Sequence, residues 1–131
     1  LWEERGRFSL ACRQAIRRYV PFTARLETLS PGQLLAERER WVLKSDYGCE
    51  GEEVVIGAET PPAVWADVVA DALPNRWIAQ LRFDPLRDRR GRSINYGVYL
   101  VGGRAAGLFT RVQAQGTDRH ATCGPTLVRL S

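Results

Sequence analysis

Apolar residues recur at helical spacing over residues 2–19, where Trp2, Phe8, Leu10, Ala11, Ala15, Ile16 and Tyr19 fall broadly on one face. Gly6 weakens the first turn, and Pro21 stops the helix. A second helix is expected from Ser30-Pro31, with serine as cap and proline at the first helical position, running through Leu34, Leu35 and Glu39. The pattern then shortens. Trp41-Val42-Leu43-Lys44 reads as a buried strand, Ser45 to Gly51 as a turn and Val54-Val55-Ile56 as a second strand, together a hairpin. Pro61-Pro62 opens a helix through Val64, Trp65, Val68, Val69 and Leu73, ending near Pro74-Asn75. Trp77 to Phe83 is a strand and the polar stretch Asp84 to Arg92 a surface loop. Ile94–Val101 and Ala105–Val112 are strands joined at Gly102-Gly103, a strong hairpin turn. Residues 113–124 are polar and read as mobile; Thr126 to Leu130 can add a last strand. Hairpins outnumber βαβ crossovers, so the expected fold class is α+β, a mostly antiparallel sheet with helices packed on it.

At 131 residues the chain fits one domain with a real core. No apolar run approaches the roughly 20 residues of a membrane span, and no secretory leader pattern is visible. Methionine is absent even at position 1, so the chain is expected to be a fragment of a longer protein. Cys12, Cys49 and Cys123 are scattered and odd in number, which reads as reduced thiols in the cytoplasm rather than a disulfide framework. His120 with Cys123 falls short of a metal site.

Net charge is +4, and all but one of the 19 basic side chains are arginine. The exception, Lys44, ends an apolar strand just before glycines. In Lys44-Ser-Asp-Tyr-Gly48-Cys49-Glu-Gly51, the glycines let the backbone approach a ligand. Free N–H groups in such a turn can cradle phosphate oxygens, and a nearby ammonium adds a point charge. It is not a Walker loop, because the lysine precedes the glycines and the loop joins strands. Gln80 alternates with Ile78 and Arg82, so its direction depends on which face is buried. Arg111 ends an apolar strand, where a guanidinium suits a bidentate grip on phosphate. Locally, each segment also reads as plain structure: a hairpin turn, a sheet strand, a strand-end arginine reaching solvent.

Taken in order, these segments resemble the circularly permuted ATP-grasp ligases, the group that includes glutathionylspermidine synthase. Leu1-Trp2 looks like the end of that family's LLW helix. WVLKSDYGCEGEEV has the spacing of its lysine–glycine-loop segment, with Lys44, Gly48 and Gly51 in place. IAQLRFDP is similar to its glutamine strand, matching Gln80 and Pro85, and GVYLVGGRAAGLFTR to its Gly-Gly hairpin leading to Arg111. Ser45 stands where the family usually has proline and Cys49 where it often has arginine, which favours the broader permuted ATP-grasp group.

The resemblance implies a single ATP-grasp-like domain or subdomain over 1–131, the ATP-binding part of a carboxylate–amine ligase. Lys44 would contact the nucleotide phosphates. The loop Gly48, Cys49, Gly51 would fold over them. Gln80 and the backbone after it, at Leu81, would lie near the adenine. Arg111 would be the catalytic residue, steadying the transferred phosphoryl group or the acyl phosphate. The implied partners are ATP, Mg2+ and small-molecule carboxylate and amine substrates. The metal ligands are expected outside this chain, so the chain alone is expected to be inactive.

Two other classes compete. One is a nucleic-acid binder using the arginine excess, disfavoured because the arginines are spread along the chain and no known motif is present. The other is a non-catalytic interaction domain with the same fold, presenting the helix at 2–19. The charged Asp84–Arg92 loop reads as solvated surface. Asp46, Glu50, Glu52 and Glu53 crowd the glycine loop; they could help hold magnesium but read rather as a solvated hairpin edge, and they repel phosphate.

Overall fold

The structure is a computed structural model and describes residues 2–46, 53–114 and 121–127. It is α+β, with two antiparallel four-stranded sheets and few helices. Contacts gather into two compact units, 1–83 and 84–131, within what the sequence reads as one domain.

In the first unit the opening helix is shorter than its apolar pattern. Residues Arg5–Arg7 form a single 3-10 turn, and α1 runs only over Leu10–Tyr19. Ser9 supplies the start signal, its Oγ accepting from the Cys12 N–H at 3.3 Å. A short strand β1, Thr23–Arg25, follows. Helix α2 spans Pro31–Ala36. Ser30 makes no side-chain cap bond there, so the helix start rests on Pro31 alone. The helix stops before Glu39, giving way to a 3-10 turn at Arg38–Arg40. Strand β2 is Trp41–Ser45, β3 Val54–Ile56, helix α3 Pro62–Ala72 and β4 Trp77–Leu81.

The sheet order is β1-β4-β2-β3, antiparallel throughout. Period-two alternation sends Leu43 and Ala79 to the covered face, where they meet Leu34 of α2 and Trp65, Val69 and Ala72 of α3. The Trp65 indole N–H donates to the Leu34 carbonyl at 3.0 Å, tying α3 to α2 inside the core. Gly57 lets two backbones touch: a Cβ there would lie 2.0 Å from the Arg38 carbonyl oxygen.

The second unit is a meander, β5 (Leu86–Arg87), β6 (Ser93–Val101), β7 (Arg104–Gln113) and β8 (Thr122–Pro125). Gly102 and Gly103 both hold positive φ, the geometry a two-residue hairpin turn needs. The Asp84–Arg92 stretch is not wholly loop, because β5 pairs with the start of β6. Asp88 closes that turn: its Oδ1 accepts from the Arg90 and Arg92 N–H groups, and its Oδ2 faces Arg92 Nε at 2.7 Å. The last strand begins at Thr122, inside the polar stretch expected to be mobile, and pairs with β7 from Val112 to Phe109. Residues 128–131 lie outside the described residues. Among the described residues, no helix is long and apolar enough to cross a membrane.

Candidate functional site

The chemistry lies on the face of the first sheet opposite α2 and α3. Lys44 on β2 sits opposite Ile78 on β4, and Val42 opposite Gln80. Side chains two apart on a strand share a face, so Lys44 and Gln80 project together, away from α2 and α3. The Lys44 Nζ donates to Gln80 Oε1 at 2.7 Å. Thr23 on β1 is the other neighbour of Gln80. The Gln80 Nε2 donates to Thr23 Oγ1 at 2.9 Å, and the Thr23 hydroxyl donates to the Pro21 carbonyl at 3.0 Å. That carbonyl also accepts from the Trp2 indole N–H at 2.7 Å.

This chain of bonds fixes an orientation. A threonine hydroxyl has one proton, and Pro21 takes it, so Thr23 can only accept from Gln80. The Gln80 amide must then turn its NH2 to Thr23 and its carbonyl oxygen to Lys44. The lysine ammonium is thereby held at a defined point with one of its three donors spent. It is half-buried, and burial lowers its pKa below the ordinary 10.5. A partly desolvated ammonium on a rigid strand attracts an anion more strongly than one in bulk water.

Around this pair, Arg25 is exposed and held by Glu3, whose two oxygens meet the Arg25 N–H and Nε, each at 3.0 Å. The Arg25 backbone N–H is the main reason the Glu3 carboxyl sits below its usual pKa. Asp46 pairs with Arg76 at 2.8 Å. A shallow cavity of about 280 Å³ opens beside Ile78, Asp46 and Arg76.

The other expected site residues fare differently. Gly48, Cys49 and Gly51 lie outside the described residues. Leu81 ends β4 with its side chain packed on the core, so it offers only backbone to the Lys44 face. Its N–H already donates to the Phe22 carbonyl at 2.8 Å, and the next N–H, of Arg82, to the Arg40 carbonyl at 2.8 Å. An adenine ring here would find these two N–H groups already engaged. Arg111 does not end its strand. It lies within β7, facing Asn95 on β6 and Cys123 on β8, in the second unit. Thr23 is the participant that the sequence pattern missed, because a three-residue strand behind a proline leaves almost no periodicity to read.

Among the described residues, no three acidic, histidine or cysteine side chains gather as a metal cluster. Asp46, a carboxylate close to Lys44 in sequence, is engaged by Arg76. The described residues thus do not make a magnesium set. No model of a known protein family, no curated protein and no solved structure matches this chain.

Proposed function

We propose that the chain is the nucleotide-holding part of an ATP-dependent carboxylate–amine ligase of the ATP-grasp type, with Lys44 as its phosphate contact. The supporting observation is the 2.7 Å bond from Lys44 to Gln80. These two residues are 36 positions apart, and the resemblance assigns both to the nucleotide. Their meeting on adjacent strands, on the face left open by the helices, is what such a reading requires. In this reaction the ATP γ-phosphoryl passes to a carboxylate oxygen, giving an acyl phosphate and ADP. An amine then attacks the acyl carbon, and phosphate leaves. The protein's part is positioning and charge neutralisation, for which an ammonium pinned by a neutral amide is suited. Arg111, in the second unit, keeps the proposed role of steadying the transferred group.

The test is ATP affinity of the chain and of its Lys44→Ala and Arg111→Ala variants, measured by titration calorimetry. Loss of the ammonium is expected to weaken binding by roughly tenfold or more, the scale of a charge-assisted contact. If ATP binds both variants as well as the parent chain, the reading is wrong.

A further inference from the structure

A second basic surface, which Lys44 does not line, is built on α1. Helix α1, with sequence LACRQAIRRY, holds three arginines and no carboxylate. Among the described residues, no acidic side chain pairs with Arg13, Arg17 or Arg18. Like charges at the spacing of Arg13 and Arg17 disfavour a helix, so the arrangement needs another reason. Folding adds a fourth arginine from far along the chain. Arg82 joins Arg17 and Arg18 around an open groove of about 610 Å³, whose walls include Trp2, Tyr19 and Phe83. Tyr19 and Phe83 are 72% and 57% exposed. The Arg18 guanidinium already lies over the Tyr19 ring, 5.2 Å from its centre. Arg17 also borders a second cavity of about 270 Å³, shared with Arg5, Arg13 and the Glu3 carboxylate, which Arg25 already holds. There the Arg13 Nε is buried and has no hydrogen-bond partner among the described residues.

We infer that this double groove binds a short single strand of nucleic acid. The guanidinium groups take successive phosphates, and the exposed rings stack on unpaired bases. Two adjoining cavities bridged by Arg17 suit a track of several nucleotides better than one compact anion. A duplex is unsuited, because its bases are already stacked on one another and cannot lie on Tyr19 or Phe83. The groups on the groove carry no pattern that selects a base, so recognition rests on charge and stacking. The dispersion of arginine along the sequence hides this patch, since Arg82 meets α1 only in the fold.

The test uses the whole chain and a fluorescein-labelled oligo-dT of about eight nucleotides, followed by anisotropy. With three phosphates engaged, affinity should fall about 20-fold between about 50 and about 200 mM salt. The double variant Arg17→Gln, Arg18→Gln should bind more weakly and lower the salt slope by about 1.4. Tyr19→Ala should weaken binding by about fivefold to a hundredfold and leave the slope unchanged. Arg104→Gln, on the Gly-Gly hairpin, should bind like the parent. All four side chains are exposed, and circular dichroism melting checks that each variant folds. The inference fails if the strand does not bind, or if a duplex of equal length binds as well. It fails if Arg104→Gln costs as much as the double variant, or if anionic phosphatidylserine vesicles displace the strand. It also fails if Lys44→Ala abolishes strand binding, because the strand would then occupy the Lys44 face. ATP binding left unchanged by Lys44→Ala and Arg111→Ala, with strand binding intact, would sink only the ligase reading.

Discussion

The β1-β4-β2-β3 sheet and the β5–β8 meander have equal strand numbers and the same antiparallel pairing, yet they bury very differently. The first has a helical cover, and its covered face is shut: Leu26, Leu34, Leu43 and Ala79 have no solvent exposure. The second has no helix among its described residues. Among its described residues the one fully buried side chain is Ser93, while Tyr96, Val98, Tyr99, Leu100 and Val101 all stand more than half exposed. Backbone pairing is thus satisfied in both, but only the first adds a dry apolar layer. Since burial, not pairing, carries most of the net stability, the first unit should resist perturbation through its core and the second through its turns and pairs.

The largest expected effect removes that layer. Trp65→Ala should cost about 3–5 kcal/mol. Hydrogen exchange should speed up at β2 and β4 and stay unchanged at β6 and β7. Equal acceleration in both sheets would break the comparison, because it would make them one cooperative body.

Two glycines sharpen it at smaller scale. A Cβ at Gly57 meets the Arg38 backbone, which cannot move aside, so Gly57→Ala should cost at least about 3 kcal/mol. A Cβ at Gly97 meets the Phe109 ring at 1.9 Å, a movable side chain whose other neighbour is the Tyr99 ring, 5.3 Å away. The ring can swing out, so Gly97→Ala should cost about 1 kcal/mol, and Phe109→Ala should remove that cost. Urea midpoints of the three single variants and of the Gly97→Ala, Phe109→Ala double variant decide it.

The smallest effect is a pH dependence belonging to the first sheet. Burial holds the folded-state pKa of Lys44 below 10.5. Below that folded value the ammonium is charged in both states, and its desolvation cost is fully present. As pH rises through it toward 10.5, the folded protein releases its proton first, and stability grows. Lys44→Met lacks this term. The denaturation midpoint of the parent should therefore gain on the variant between pH 7 and pH ~10.5. A constant gap across that range would show that Lys44 is not desolvated.

The long periodic segments were legible: α3, β2 and the Gly-Gly hairpin lie where the apolar pattern predicts them. Three elements were not. Strand β1 is three residues behind Pro21, β5 is two residues in a charged stretch, and β8 contains glycine and proline. Each is a strand because a neighbour supplies hydrogen bonds, which no local pattern records. The first helix was over-read because Trp2 and Phe8 are apolar for other reasons. Trp2 packs against Phe22 with the rings tilted and their centres 5.6 Å apart, and anchors Pro21. For the site, the sequence could name Lys44 and Gln80 but not their shared face. The direction of Gln80 follows from sheet register, and register depends on which face α2 and α3 cover.

The solitary lysine also has a practical consequence. Within these 131 residues, amine-directed acylation has one side-chain target. Its rate reports directly on whether the bond to Gln80 is closed or open. Thr23→Val, which frees the Gln80 amide to rotate, should register as a change in labelling at Lys44 without any ligand present. The molecule therefore carries an intrinsic chemical reporter at the position where its proposed chemistry begins.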